Sequence, residues 1–141
     1  DDVSGFTLVE VLLSLALLSI IVVSILTLIT RVSIITKRSE ELTQITYEAQ
    51  NIIENIKAGD LVIKESDFED ISKLIDGEAS KFNYSYYQGK LLIKDLKEND
   101  GVYYVDLKIR YTDSVLKDYI SIKTWIPKQN VNKLFQEFND D

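Results

Sequence analysis

Apolar residues are not spread evenly along this chain. Val11 to Thr30 is twenty residues without one charged side chain, dominated by Leu, Ile and Val. At about 1.5 Å per residue a helix of that length covers roughly 30 Å, the thickness of a bilayer core. Ser14, Ser19, Ser24 and Thr27 interrupt the run, and each can return its hydroxyl to a backbone carbonyl one turn back. The run exceeds the about 7–15 apolar residues of a signal peptide, and no small-residue cleavage site follows it. Beyond Arg31 the pattern turns amphipathic. Ile35, Leu42, Ala49 and Ile56 recur every seven residues, with Ile45 and Ile52 between them, while Glu40, Glu41, Gln44, Glu48 and Asn51 take the other face. This predicts a helix running on to Lys57 that covers something on one side, with Gly59 as its C-terminal cap. A short coiled coil is the alternative.

Downstream, Ser66-Asp67-Phe68-Glu69 has the form of a capping box and predicts a short helix to about Ile75, closed by Gly77. The period then changes to two. Phe82, Tyr84 and Tyr86 alternate with polar positions. So do Tyr103, Val105, Leu107, Ile109 and Tyr111, and then Ile120, Ile122 and Ile126. These are half-buried strands with one wet face. Turns are expected at Gly89-Lys90, Asn99-Asp100-Gly101 and Thr112-Asp113-Ser114. Pro127 should end the last strand, leaving a polar tail with a short helix around 131–138. The fold class is α+β: a long N-terminal helix, membrane-spanning then amphipathic, packed on a small antiparallel sheet of about four strands. The expected divisions are 1–5 as a leader remnant, 6–30 as the spanning helix, 31–58 as its amphipathic continuation and 59–141 as a small globular domain.

Composition narrows the chemistry. The 141 residues hold no Cys and no His, and the net charge is −7. Disulfides, thiol nucleophiles, thiolate metal sites, a Ser-His-Asp triad and His-ligated zinc are all excluded. A tethered enzyme would have to work with carboxylates or lysines, and no convincing pair stands out. No basic stripe is evident along the sequence, so direct nucleic-acid binding is not expected. The anomaly is Glu10. A carboxylate at the edge of a bilayer helix is costly and usually has a partner and a purpose. It can also lie in the headgroup layer and simply favour the helix N-terminus.

Gly5-Phe6-Thr7-Leu8-Val9-Glu10, followed at once by the apolar helix, resembles the N-terminal signature of type IV pilins and pilin-like pseudopilins. The resemblance covers roughly the first fifty residues. It implies cleavage between Gly5 and Phe6 by prepilin peptidase and methylation of the new Phe6 amine. Glu10 would then neutralise the amine of a neighbouring subunit during assembly. The implied partners are other pilin or pseudopilin subunits, prepilin peptidase, membrane lipid and an inner-membrane assembly platform protein. No cofactor and no metal are implied. The implied location is the bacterial cytoplasmic membrane, crossed once with the C-terminal domain outside, and then a periplasmic or extracellular filament. Arg31, Lys37 and Arg38 lie downstream of the span and would by themselves put that domain inside; a basic leader ahead of Asp1 would reverse the bias.

The acidic Asp1-Asp2 departs from the usual basic leader and reads as the stub of a longer one, while the lack of the Gly and Pro that many major pilins carry within the span leans toward a minor pilin or minor pseudopilin. Some pseudopilins bind calcium near an acidic turn. Here Asp95, Glu98, Asn99, Asp100 and Gly101 do not have EF-hand spacing, because Leu107 stands where the closing glutamate would fall, and they read as a solvated turn. The alternative function is a single-pass, membrane-anchored protein-binding module that enters no filament. Tyr104, Tyr119 and Trp125 are the aromatics expected to point outward.

Overall fold

The computed structural model describes residues 5–95, 101–113 and 119–138. The chain divides into two compact units, 1–39 and 40–141. Helix α1 (Leu8–Ala58) begins in the first and ends in the second.

In the first unit α1 carries no charge from Val11 to Thr30, and its large apolar side chains are exposed throughout. The hydroxyls do what the sequence suggested. Ser14 bonds the Glu10 carbonyl at 2.7 Å, Ser19 that of Leu15 at 2.7 Å, Ser24 that of Ile20 at 2.8 Å and Thr27 that of Val23 at 2.9 Å. Each polar group is satisfied inside the helix, which is the condition for lying in lipid. The helix is long and apolar enough to cross a membrane.

In the second unit α1 buries Ile45, Ala49, Ile52, Ile53 and Ile56, a stripe at helical spacing. Ile35 and Leu42, which share the seven-residue row in the sequence, remain 65% and 40% exposed. The row therefore has a partner only along its C-terminal part. That partner is the inner face of a four-stranded sheet: β1 (Ser80–Tyr84), β2 (Tyr87–Asp95), β3 (Val102–Tyr111) and β4 (Ile120–Pro127). The strands pair in sequence order and every pair is antiparallel. Phe82, Leu91, Ile93, Val105, Leu107, Ile109 and Ile126 fill the layer between helix and sheet. Each large apolar side chain fully buried there contributes about 1.5–3 kcal/mol. The expected α+β architecture and its four strands are observed.

Gly59 ends α1 as predicted. At φ +82° its amide donates to the Ile56 carbonyl at 3.0 Å and the Asp60 amide to that of Asn55 at 3.0 Å, the paired bonds of a Schellman motif.

Three expectations are corrected. The first concerns the β1–β2 turn, which falls at Ser85-Tyr86 and not at Gly89-Lys90. Tyr84 pairs with Tyr87, and Ser85 takes φ +52°. Gly89 lies inside β2, between Phe82 and Ile109. A Cβ there would stand 2.6 Å from the Phe82 ring and 2.2 Å from the Lys108 carbonyl, so the glycine serves close packing and not a turn.

The second concerns the short helix α2 (Ile71–Ile75), whose N-cap is Asp70 and not Ser66. The Asp70 carboxylate accepts from the Ser72 amide at 3.1 Å. Ser66 belongs to a one-turn 3-10 helix (Glu65–Asp67). Phe68 then bridges to Phe82 and the Glu69 amide donates to the Lys81 carbonyl, which draws this stretch into extended backbone.

The third concerns the tail: the expected short helix is present as α3 (Lys128–Glu137), but it is not a polar appendage, because it buries Val131 and Leu134 completely in the core. It is tied down by Asn130, whose amide donates to the Lys57 carbonyl, and by an ion pair from Lys128 to Asp95 at 2.9 Å. The expected turn residues Asn99, Asp100 and Ser114 lie outside the described residues, as do Asp1 to Ser4 of the expected leader remnant.

Candidate functional site

The segment Gly5–Glu10 forms the start of α1. Gly5, Phe6 and Thr7 precede the first helical residue, Leu8. The Thr7 carbonyl accepts the first intrahelical bond, from Val11 at 3.2 Å, so Thr7 is the N-cap. Its hydroxyl accepts from the Glu10 amide at 3.3 Å, and its own amide donates to Glu10 Oε2 at 2.9 Å. This is a reciprocal capping box. Sequence reasoning identified Glu10 but passed over Thr7. The Thr-x-x-Glu spacing ahead of an apolar run was the signal that could have found it.

The box fixes where the helix begins. The Gly5–Phe6 peptide is left outside it, with the Phe6 side chain 85% exposed. A Cβ built on Gly5 meets nothing within 4 Å. Among the described residues, nothing in the chain itself requires glycine there. From Val11 to Thr30 no charge accompanies Glu10 along the span.

Elsewhere two titratable groups are shifted by their surroundings in the fold. The Ser72 hydroxyl holds the Asp70 carboxyl below its ordinary range. Burial, followed by the hydrogen bond with Tyr111, pushes the Tyr87 phenol well above its ordinary value. A surface groove of about 280 Å³ is lined by Glu41, Tyr86, Tyr111, Thr112 and Asp113; the Thr112 hydroxyl donates to the Tyr86 carbonyl at 3.2 Å and the Tyr111 hydroxyl to Gln44 Oε1 at 2.8 Å. Asp95, at the edge of the acidic turn weighed for calcium, is held by Lys128; Glu98, Asn99 and Asp100 lie outside the described residues. No group of three His, Cys, Asp or Glu capable of holding a metal gathers among the described residues.

Residues 2–26 match the family described as the prokaryotic N-terminal methylation motif. No curated protein and no solved structure matches the chain. The motif is the type IV pilin and pseudopilin signal. It supports reading the chain as a pilin-like substrate of prepilin peptidase, anchored in a membrane by its apolar helix and interacting with other pilins. It points to a structural rather than an enzymatic protein.

Proposed function

We propose that this chain is a structural subunit, a minor pilin or pseudopilin, of a type IV filament system. It is cut between Gly5 and Phe6, methylated on the Phe6 amine and registered in the filament by Glu10. The observation that carries this reading is the helix start. The scissile peptide stands clear of the helix, and Glu10 sits three residues past the N-cap at the mouth of an uncharged span. Among the described residues Gly5 has no packing duty, which suits a residue selected by the pocket of a protease.

The energetics give Glu10 two successive partners. Before assembly its carboxylate satisfies the Thr7 amide, a cap worth about 1 kcal/mol. A neighbour's amine about 4 Å away in surroundings of effective dielectric 20 offers about 4 kcal/mol. An unpaired charge among packed helices is costly for both groups, so their meeting removes two penalties and favours one axial stagger.

Glu10→Gln separates the two roles. Glutamine keeps the capping box but carries no charge. The variant is expected to insert in the membrane and be cut normally, yet to be missing from filaments sheared from cells. Normal incorporation would leave Glu10 a cap and nothing more. The anchored binding module, the second reading, requires a chain from native membranes that still carries the residues before Phe6; a chain beginning at methylated Phe6 excludes it.

A further inference from the structure

The inner face of the sheet is filled by α1 and α3; among the described residues no helix covers its outer face, whose composition is unlike the rest of the chain. Lys81, Lys90 and Lys108 stand side by side across β1, β2 and β3. Directly opposed like charges at about 5 Å cost stability, so folding alone does not favour such a row. Lys94, Arg110 and Lys123 lie on the same face, against two acids among the described residues, Asp106 and, at the β1 edge beside Lys81, Glu69. The described residues of the face thus carry +4 in a chain of net charge −7, which leaves −11 for everything else. Among the described residues, Lys90, Lys94, Lys108 and Lys123 have no carboxylate within ion-pair distance; Lys81 lies 3.5 Å from Glu69.

Aromatic rings stand among these cations. Tyr104 and Trp125 meet edge to face, with centroids 5.4 Å apart, in the row that begins with Lys94. Trp125 is 51% exposed. At the other end of the face, the Arg110 guanidinium lies 4.8 Å from the Tyr119 ring centre. Two rows, one cationic and one aromatic, are thus separated by four residues, or about 13 Å of strand.

We propose that this open face binds single-stranded nucleic acid. Lysines matched to a phosphate backbone and exposed rings on which unpaired bases stack are the two components of such a platform. A four-stranded sheet backed by helices and presenting aromatics on its free side is one recurrent form of it. The alternatives use the face less fully. Protein–protein interfaces are depleted in lysine. A duplex keeps its bases stacked within itself and offers none to Trp125. A phosphate polymer without bases would engage the lysines and leave the rings idle. The linear sequence shows no basic stripe because these cations come from four separate strands, and the strand register brings them onto one face. The inference does not depend on the filament reading.

The test uses the full chain in nonionic detergent and a fluorescent fifteen-residue oligothymidylate, titrated from 50 to 200 mM salt. Binding that weakens steeply with salt is expected. Lys90→Gln with Lys108→Gln should reduce the log–log salt slope by about 1.4, at about 0.7 for each phosphate contact on a single strand. Trp125→Ala should weaken binding at least tenfold and leave the slope unchanged, while Trp125→Phe restores most of the affinity. Unfolding midpoints of all variants check that the fold is kept. The proposal fails if the oligonucleotide does not bind at 50 mM salt. It also fails if inorganic polyphosphate competes equally and Trp125→Ala loses nothing, which would mark a surface for any polyanion. Salt-sensitive self-association that the lysine changes abolish and the oligonucleotide does not disturb would assign the face to the acidic surface of a second copy, and overturns the proposal as well.

Discussion

Thr7 and Glu10 cap each other. The Thr7 amide donates to Glu10 Oε2 at 2.9 Å and the Glu10 amide donates to Thr7 Oγ1 at 3.3 Å. The residue that looks like an isolated charge in the sequence is thus half of a hydrogen-bonded pair, and the pair decides where the long helix starts.

Thr7→Ala is expected to fray that start. Losing a hydroxyl cap costs about 1 kcal/mol, so the amides of the first turn should exchange hydrogen about fivefold faster in detergent-solubilised protein. Glu10→Gln should leave those rates within twofold of the parent. Equal acceleration in both variants would mean that the charge, through the helix dipole, does the capping.

Gly89→Ala tests the packing of the sheet. The added methyl meets the Lys108 carbonyl and the Phe82 ring at distances that real Cβ atoms do not adopt. The strands must separate or Phe82 must leave its place, and a loss of about 3 kcal/mol is expected in urea unfolding of the full chain. Lys90→Ala, one residue along on the exposed face, is expected to change stability by less than about 0.5 kcal/mol.

Leu134→Ala should cost about 2–4 kcal/mol, because a fully buried side chain leaves a cavity between α3 and the sheet. Asn130→Ala removes the donor to the Lys57 carbonyl, and a smaller loss of about 1 kcal/mol is expected. A tail without a structural role would give neither effect, and denaturant midpoints distinguish the cases.

Tyr87 predicts an alkaline weakness. Its phenol is held above its ordinary value by burial first and by Tyr111 next, with Glu48 adding negative charge nearby. The neutral form is therefore favoured by folding. That contribution is whole below the unfolded phenol's pKa of about 10 and is lost progressively as pH rises above it. Stability should fall from about pH 10 upward, and Tyr87→Phe should flatten the fall. An unchanged alkaline slope in the variant would place the sensitivity elsewhere.

The features that depend only on neighbours along the chain were legible in the amino-acid order. Residues 11–30 make a helix long and apolar enough to cross a membrane because twenty uncharged residues follow one another, and their hydroxyls close back on the helix because a carbonyl is always one turn away. Gly59 stops α1 because only a residue free of Cβ takes φ +82° there without strain. The strands follow from alternation with period two, and the N-terminal signature stands in six consecutive residues.

What needed the tertiary structure depended on partners distant in sequence. Gly89 has the appearance of a turn residue until Phe82 and Lys108 are brought against it. Phe68 leaves a helical pattern because Phe82 pairs with it. The tail has a hydrophobic face too short to fold alone, and it becomes a helix of the core only because α1 and the sheet leave a surface for Val131 and Leu134. The lysines of the outer face come from four strands spread over more than forty residues. Cross-strand register, set by which apolar residues had to face α1, brings them onto one surface. A sequence fixes local periodicity directly; it fixes register only through the burial that the whole chain achieves together.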